Sequence, residues 1–193
     1  MNSVLKVRPA EERDIPDLTR FRLEAQDGIN EALYEGLEQS VEDIICNEMK
    51  DPGSYESYRT YCVIETDEGV VAGMQSFPWD TFLSFDYNPL IPRDRYYLEE
   101  PFDEMPAKGT YYLHVLAVNA ECLRQGLASR LLTHFHKLAS SEGFETKSLY
   151  CLEENLGAVK LYEKHGYRTV DKRPMAKHEK IRHGGNILLM TSR

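Results

Sequence analysis

The stretch YYLHVLAVNAECLRQGLAS, residues 111–129, decides the fold of this chain. It begins as an apolar, β-rich run and continues through a short turn into an amphipathic helix. The small residues Gly126 and Ala128 mark the helix start. Backbone N–H groups at a helix start are unpaired and lie at the positive end of the helix dipole, so they attract anions. The stretch therefore predicts a turn that binds phosphate or pyrophosphate.

The bulk composition is that of one ordinary globular domain. The chain has 193 residues, of which 41% are hydrophobic and 28% charged, and we expect a single domain over 1–193. Its 23 basic and 32 acidic residues give a net charge of −9, which disfavours nucleic acid as a partner. No apolar run reaches membrane-spanning length, and MNSVLKVRPA lacks the apolar core of a signal peptide. We expect a cytoplasmic protein with no membrane partner.

The cysteines predict neither a metal site nor a disulfide framework. They stand at positions 46, 62, 122 and 151, with no C-x-x-C pair and no zinc-type spacing with histidine. We expect free thiols that serve as small core residues, and no bound metal.

Patterns in the first half predict a strand, helices and a hairpin. The expected elements are a strand at 4–8, a helical region at 11–35 divided at Gly28, a helix at 41–49 capped by Ser40, and strands at 59–66 and 70–77 joined by the turn 67–69. Residues 79–108 are rich in proline, aromatic and acidic residues. We interpret them as a long ordered insertion between strands, and loops of that length are often functional.

In the second half, strands and helices alternate. The expected elements are strands at 109–118, 146–152, 167–173 and 186–191, helices at 126–141 and 156–165, and a basic loop at 174–185. Hairpins at both ends and β-α units between them favour a mixed sheet with helices on both faces.

Two motifs resemble signatures of the GNAT superfamily of acyl-CoA-dependent N-acyltransferases. LAV at 116–118 followed by RQGLA at 124–128 is similar to the acyl-CoA signature Q/R-x-x-G-x-G/A. NLGAVKLYEKHGY at 155–167 is similar to N-x-x-A-x-x-x-Y-x-x-x-G-F/Y. One position departs from the pattern, because Leu123 stands where the first Gln or Arg is expected and Arg124 follows it. Arg124 therefore either contacts a CoA phosphate or is a solvated surface arginine.

The resemblance implies an α/β (α+β) fold: a mixed, mostly antiparallel central sheet with helices on both faces and a splayed parallel strand pair. The backbone left unpaired by the splay would hold the pantetheine arm of acetyl-CoA, the co-substrate, and polarise its thioester oxygen. The implied cofactor-binding residues are Leu116, Ala117, Val118, Arg124, Gln125, Gly126, Leu127, Ala128, Ser129, Asn155, Ala158 and Tyr162.

Two residues are candidates for catalysis. By the resemblance, Tyr162 lies near the thioester sulfur, where a phenol could protonate the departing thiolate; otherwise it only packs its helix. His114 could accept the proton of the amine through a water-linked path, or it could be a buried, satisfied histidine. Strand alternation predicts that His114 shares a face with Tyr112, Leu116 and Val118.

The acceptor is expected to be a primary amine. Acidic side chains in 24–51 and 79–108 would attract a cation. The aromatic residues of the insertion either line the pocket of that cation or bury the insertion against the domain, and we expect burial for most of them. These residues are Glu24, Asp27, Glu31, Glu35, Glu38, Glu42, Asp43, Asp80, Asp86, Asp94, Glu99, Glu100, Asp103 and Glu104, with Trp79, Phe82, Phe85, Tyr87, Tyr96 and Tyr97. Lysines and arginines of 172–182 are expected to be solvated.

Three functions stay open at this stage. The first is acetyl transfer to a small cationic metabolite by direct attack in a ternary complex. The second is acetylation of a protein N-terminus or lysine, which an open trough would favour over a closed aromatic pocket. The third is a non-catalytic acyl-CoA sensor. A homodimer is possible in each case.

Overall fold

The computed structural model describes residues 5–84, 88 and 90–193. Within these residues, seven strands form one continuous sheet in the order β1-β2-β3-β4-β5-β7-β6. Neighbouring strands are antiparallel except β4 and β5, which are parallel. The strands are Lys6–Pro9 (β1), Tyr61–Thr66 (β2), Gly69–Pro78 (β3), Tyr111–Val118 (β4), Lys147–Leu152 (β5), Arg168–Pro174 (β6) and Asn186–Ser192 (β7). The expected mixed, mostly antiparallel sheet is confirmed.

Five of the six helices in the described residues lie close to their predicted limits, and the sixth, Glu100–Asp103, lies in the insertion, where no helix was predicted. They are Ile15–Ala25 (α1), Ile29–Leu33 (α2), Val41–Lys50 (α3), Glu100–Asp103 (α4), Leu127–Ser141 (α5) and Leu156–Lys164 (α6). Ser40 caps α3 by accepting a hydrogen bond from the Asp43 N–H at 3.1 Å. Gly28 separates α1 from α2 because its φ of 95° is left-handed.

Helices cover both faces of the sheet. On one face, α5 buries Leu131, Leu132 and Phe135 against sheet residues such as Met74 and Leu149. On the other face, α1 and α3 bury Leu18, Phe21 and Ile45 against Val63 and Val115. These side chains are almost fully removed from water, so the two apolar layers hold the sheet between them.

The parallel pair separates after three residues. Tyr111, Tyr112 and Leu113 of β4 pair with Lys147, Ser148 and Leu149 of β5. Beyond that point β4 continues to Val118 beside β3, and β5 continues to Leu152 beside β7. The ends of β4 and β5 therefore leave an opening in the sheet with backbone groups on both sides. This is the expected splay.

A β-bulge at His114 corrects the predicted facing of β4. Val115 lies opposite Gln75 and Leu113 lies opposite Ser76, so His114 is one extra residue in β4. As a result, Leu116 and Val118 pack with the α5 layer, whereas His114 contacts Gln26 at the end of α1. The prediction that His114 shares a face with Leu116 and Val118 was wrong, because strict alternation allows no extra residue.

The described part of the insertion is ordered into short 3₁₀ turns at Trp79–Ser84 and Arg93–Leu98, followed by α4. Its aromatic and apolar side chains, including Trp79 and Leu98, are buried in a third cluster with α2. The predictions for Phe85, Asp86, Tyr87 and Pro89, and for the strand start at Val4, lie outside the described residues.

Replacing Gly73 by alanine should destabilise the fold. A Cβ at this β3 position would lie 2.8 Å from Cδ2 of Phe21, whose fully buried ring has no room to move. We expect a loss of roughly 1–3 kcal/mol in the free energy of unfolding, measured with urea. The control Gly53→Ala would meet only Asp51 Oδ1, at 3.4 Å, and should change stability by less than about 0.5 kcal/mol. Equal stability of the two variants would contradict this packing argument.

Candidate functional site

Two adjoining cavities lie where β4 and β5 separate. The first, here called the splay cavity, has a volume of about 250 Å³ and the second, the acidic cavity, about 400 Å³. Residues at their junction line both cavities, so a molecule in one can touch a molecule in the other. The shared lining residues are Gln26, Ile29, Phe102, Tyr112, His114 and Tyr150.

The splay cavity contains half of the predicted cofactor-binding residues. Its lining includes Leu116, Ala117 and Val118 of β4, together with Asn155, Ala158 and Tyr162 around the start of α6. Asn155 also caps α6, since its Oδ1 accepts a hydrogen bond from the Ala158 N–H at 3.2 Å. The cap places the small Ala158 at the cavity wall, where a ligand can approach the helix backbone.

The predicted anion-binding turn lies at the start of α5, outside the lining of both cavities. Arg124 and Gly126 both have left-handed φ values, 61° and 79°. Within the described chain, no group accepts the N–H groups of Leu127, Ala128 and Ser129; the next N–H, of Arg130, bonds to Gly126 O at 3.0 Å. Three unpaired N–H groups at a helix start are suited to bind a phosphate.

Individual side chains of this turn differ in what they can contribute. The Leu127 side chain is buried in the core, so only its backbone is available to a ligand. Ser129 Oγ lies 3.0 Å from Nε2 of His165, which ties α5 to the end of α6. Gln125 is exposed beside Arg124, and Ala128 is half-buried.

Tyr162 carries a hydroxyl that stays protonated. Burial raises the pKa of its phenol, and the neighbouring Cys151 thiol raises it further. Burial also raises the pKa of Cys151 to about 12, so this thiol is a poor nucleophile at neutral pH. Of the two groups at this wall, the phenol is the one that lies on the predicted signature helix. A protonated phenol can donate a hydrogen bond or a proton into the cavity.

His114 is held between two glutamines. Its Nδ1 lies 2.9 Å from Gln75 Oε1, and its Nε2 lies 2.9 Å from Gln26 Nε2. Because the Gln75 oxygen only accepts, Nδ1 carries the proton and Nε2 accepts from the Gln26 amide. Burial, reinforced by the charge of Arg22, lowers the pKa of His114 to about 3. The imidazole is therefore neutral at physiological pH and binds a further proton weakly.

A buried ion network forms one wall of the acidic cavity. Nη1 of Arg22 lies 3.0 Å from Glu48 Oε2 and 2.8 Å from Glu56 Oε2. Burial raises the pKa of both carboxyl groups, while attraction to Arg22 opposes that rise. Gln75 Nε2 joins the network by donating to Glu56 Oε2 at 3.4 Å. Since one guanidinium serves two carboxylates, the network is acidic overall.

Glu99 lies on another wall of the same cavity. Its carboxylate forms no ion pair or hydrogen bond within the part of the chain that the structure describes, although its side chain is only partly exposed. Burial and the nearby charge of Asp103 raise the pKa of Glu99 to about 7. This carboxyl group can thus gain or lose a proton at neutral pH.

Aromatic rings complete the acidic cavity. Phe82 packs edge-on against Phe77 and Trp79, with ring centroids 5.2 and 5.8 Å apart, and Tyr112 lies 5.7 Å from Phe82. Of the aromatic residues predicted for this pocket, Trp79, Phe82 and Tyr96 line it and Tyr97 does not. Carboxylates beside aromatic faces suit a cation that carries apolar groups.

Not all the predicted acids face the acidic cavity. Glu99 and Asp103 line it, while Glu24 and Asp27 line the splay cavity. Asp27 and Glu35 are neutralised by cations of the basic loop, Arg182 and Lys180 among them. The sequence predicted that Lys180 and Arg182 are solvated. The structure instead pairs each of them with a carboxylate.

Sequence reasoning missed much of the polar network. Arg22, Glu48, Glu56, Gln26 and Gln75 were not singled out. Gln75 offered a signal, since it is a polar residue inside an apolar strand and is fully buried. The others lie on amphipathic helices or loops, where a charged residue is unremarkable.

Comparisons with known proteins agree with this geometry. Residues 25–167 match the model of the acetyltransferase (GNAT) family. A 62-residue stretch is 37% identical to GCN5-related N-acetyltransferase 4, chloroplastic, of Arabidopsis thaliana, covering 32% of this chain and 21% of that protein. The chain thus spans about a fifth of the length of that relative.

Solved structures show the same fold. A structure described as an acetyltransferase has a TM-score of 0.71 at 20% identity, covering 97% of this chain and 98% of that one. An N-acetyltransferase from Staphylococcus aureus Mu50 has a TM-score of 0.68 at 21% identity, covering 95% and 99%. Among the described residues, no helix is long and apolar enough to cross a membrane and no cluster of side chains could hold a metal ion.

His114 should stay neutral over the whole physiological pH range. With a pKa of about 3, its ring nitrogens should keep the Nδ1–H pattern in long-range ¹H–¹⁵N spectra from pH 8 to about pH 5. The spectrum of His114→Gln identifies the signal. A titration midpoint close to 6.5 would contradict the buried, glutamine-bound geometry.

Proposed function

The chain belongs to the GNAT family of acetyltransferases, and from this premise we propose that it moves an acetyl group from acetyl-CoA to the primary amine of a small cationic metabolite. The observation that carries the proposal is the pair of adjoining cavities at the splay, one lined by residues 116–118 of β4 and by Asn155, Ala158 and Tyr162, and the other by acids and aromatic rings. One cavity suits each substrate, so the two can meet without a covalent enzyme intermediate.

Acetyl-CoA supplies the activated acetyl group, and the residues present fit it. The unpaired backbone of β4 beyond Leu113 lies along the splay cavity, where pantetheine can bond to Leu116 and Val118 as a further strand would. The three unpaired N–H groups at the start of α5 suit the pyrophosphate. We assign Arg124, which is exposed beside them, to a phosphate of CoA.

We assign Tyr162 the role of acid. Its phenol lines the splay cavity and its raised pKa keeps it protonated at neutral pH. A neutral donor at this place can protonate the sulfur of the departing thiolate. Packing of α6 onto the sheet alone would not require a hydroxyl.

We assign the proton of the incoming amine to Glu99 in preference to His114. An amine arrives as an ammonium and must lose a proton before it can attack a carbonyl. Glu99 lines the acidic cavity with a pKa of about 7, whereas the pKa of His114 is about 3. A base with a pKa near neutral pH accepts that proton readily. We therefore assign His114 no proton transfer, and its role is to position Gln26 and the bulge in β4.

The acceptor cavity favours a metabolite over a polypeptide. Its walls come from α1, α2, α3, the insertion and the sheet, which line a volume of about 400 Å³. Four carboxyl groups, of Glu48, Glu56, Glu99 and Asp103, line this cavity with only one guanidinium among its described lining residues, that of Arg22, which pairs with Glu48 and Glu56. The charge balance suits a cation, and the aromatic rings suit its apolar part. A protein N-terminus or lysine is the second choice. A cytoplasmic location and a homodimer stay predictions.

The wild-type enzyme should release free thiol from acetyl-CoA when a suitable amine is present. The assay is thiol release over a panel of aliphatic and aromatic amines, with an N-terminal peptide and a lysine peptide as competing acceptors. Tyr162→Phe should lower kcat by roughly 10²-fold while the Kd for acetyl-CoA changes little. Tyr97→Phe, outside both cavities, is the control.

Three results would count against this assignment. Thermal stabilisation by acetyl-CoA without turnover on any acceptor would favour the non-catalytic sensor. Faster turnover of peptides than of every small amine would favour the protein acetyltransferase. If Tyr162→Phe kept the wild-type kcat, the phenol would have no acid role.

The pH dependence tests Glu99. Because the carboxylate form must accept the proton, kcat/KM should rise with pH through about 7, the pKa of Glu99. Glu99→Gln should lower kcat/KM by roughly 10²-fold or more and remove that limb of the profile. Glu100→Gln makes the same charge change at an exposed neighbour and should leave the profile intact. A profile unchanged in Glu99→Gln would assign the proton elsewhere.

A further inference from the structure

The basic loop, predicted at 174–185, occupies residues 175–185 because Pro174 is the last residue of β6. It lies across the turn that joins α1 to α2. Asp27 in that turn is buried and accepts a hydrogen bond from Arg182 Nε at 3.0 Å. The same carboxylate accepts the His183 N–H at 3.2 Å and lies 2.9 Å from His183 Nδ1. The Arg182 N–H also donates to Asp27 O at 3.0 Å. Side chain and backbone of one turn residue are thus both held by the loop.

Gly28 brings the two backbones into direct contact. A Cβ at Gly28 would lie 1.8 Å from the carbonyl oxygen of Lys180. No side chain fits there, and the φ of 95° also favours glycine. The loop therefore packs on the turn itself and is not merely linked to it by flexible side chains.

Arg182 also bonds to the end of α1. Its Nη2 donates to the carbonyl oxygens of Glu24, at 2.6 Å, and Leu23, at 3.4 Å. Carbonyl groups in the last turn of a helix lack partners within the helix and attract cations. One arginine thus satisfies the end of α1 and holds the turn that follows it.

A second contact lies beyond the other end of α2. Glu35 is reached by Lys180 Nζ at 3.4 Å and His178 Nε2 at 3.6 Å from the basic loop. Arg95 Nη1, from the insertion, lies 2.9 Å from the same carboxylate. Glu35 therefore joins α2, the insertion and the basic loop.

The helix between these contacts forms a wall of the acidic cavity. Ile29, Asn30 and Leu33 of α2 line it, and the segment that carries Arg95 also carries Glu99. With five residues, α2 is too short to be stable from its own hydrogen bonds. Its place depends on packing and on what holds its two ends.

We propose that the basic loop is a positioning element of the acceptor cavity, which it sets by holding both ends of α2 through Asp27 and Glu35. The inference rests on the proposed function, because it identifies the acidic cavity as the acceptor site. It assigns Arg182 and Asp27 as positioning residues, since neither lines the acidic cavity, although Asp27 lines the splay cavity.

The test compares Arg182→Gln and Asp27→Asn with the control Lys177→Gln. Asparagine tolerates the left-handed φ of 58° at position 27, so Asp27→Asn removes charge without adding backbone strain. Lys177 is an exposed lysine of the same loop with no ion pair among the described residues. All variants are first checked for a wild-type-like cooperative unfolding transition.

Two readouts are measured on the full chain with acetyl-CoA bound. Hydrogen exchange of the peptide covering 26–35 should become roughly tenfold faster in both variants, as expected for losing hydrogen bonds to a charged group. The KM for the amine with the highest kcat/KM in the panel should rise by roughly tenfold, with a smaller effect on kcat and on the Kd for acetyl-CoA. The control should match the wild type.

Three results would overturn the proposal. Unchanged exchange in 26–35 would show that the loop does not hold α2. Faster exchange with an unchanged KM would make the loop structural only. An equal rise of KM in Lys177→Gln would show that the rise comes from the altered net charge and not from the contacts of Arg182 and Asp27. Failure of the proposed function is a separate result, since the wild type would then acetylate no amine while the exchange readout still reported on α2.

Discussion

The structure depends on an interrupted pairing. β4 and β5 pair over three residues and then separate. Beyond that point, within the described chain, β4 pairs only with β3, and β5 only with β7. An unpaired backbone group away from water is costly, so such an opening persists only if something else bonds there. The apolar layers on both faces hold the strands in place on either side of the gap. The opening is thus a property of the whole sheet and does not depend on a single side chain.

The charges around the opening are arranged to leave an acidic excess. Arg22 is nearly fully buried and serves both Glu48 and Glu56, while Glu99 forms no ion pair within the described residues. Burying carboxylates raises their pKa values because the charged form loses hydration. A cationic acceptor would return some of that lost stabilisation on binding. Asp27 and Glu35, which lie outside the acidic cavity, are each paired with a cation from the basic loop.

Local signals allowed the elements to be predicted, but the contacts that shape the site are distant in sequence. The cap at Ser40, the break at Gly28 and both β-α units follow from short-range patterns, and the structure has them at nearly the predicted residues. Arg22 meets Glu56, and Asp27 meets Arg182, only after the chain folds. A basic loop and an acidic turn each read as solvated surface when considered alone. Gln75, polar within a buried strand, was the one local clue to the network.

The bulge at His114 has a consequence for how this chain can be compared with its relatives. Because β4 contains one extra residue, the side chains of residues 115–118 point to the face opposite to the one that strict alternation from residues 111–113 would give. A relative whose corresponding strand lacks the bulge would align correctly on both sides only with a one-residue gap at this position. An ungapped alignment would pair side chains from opposite faces of the sheet, and a role assigned by such a match would go to the wrong residue. Structural superposition, in which backbone position decides the match, avoids this error.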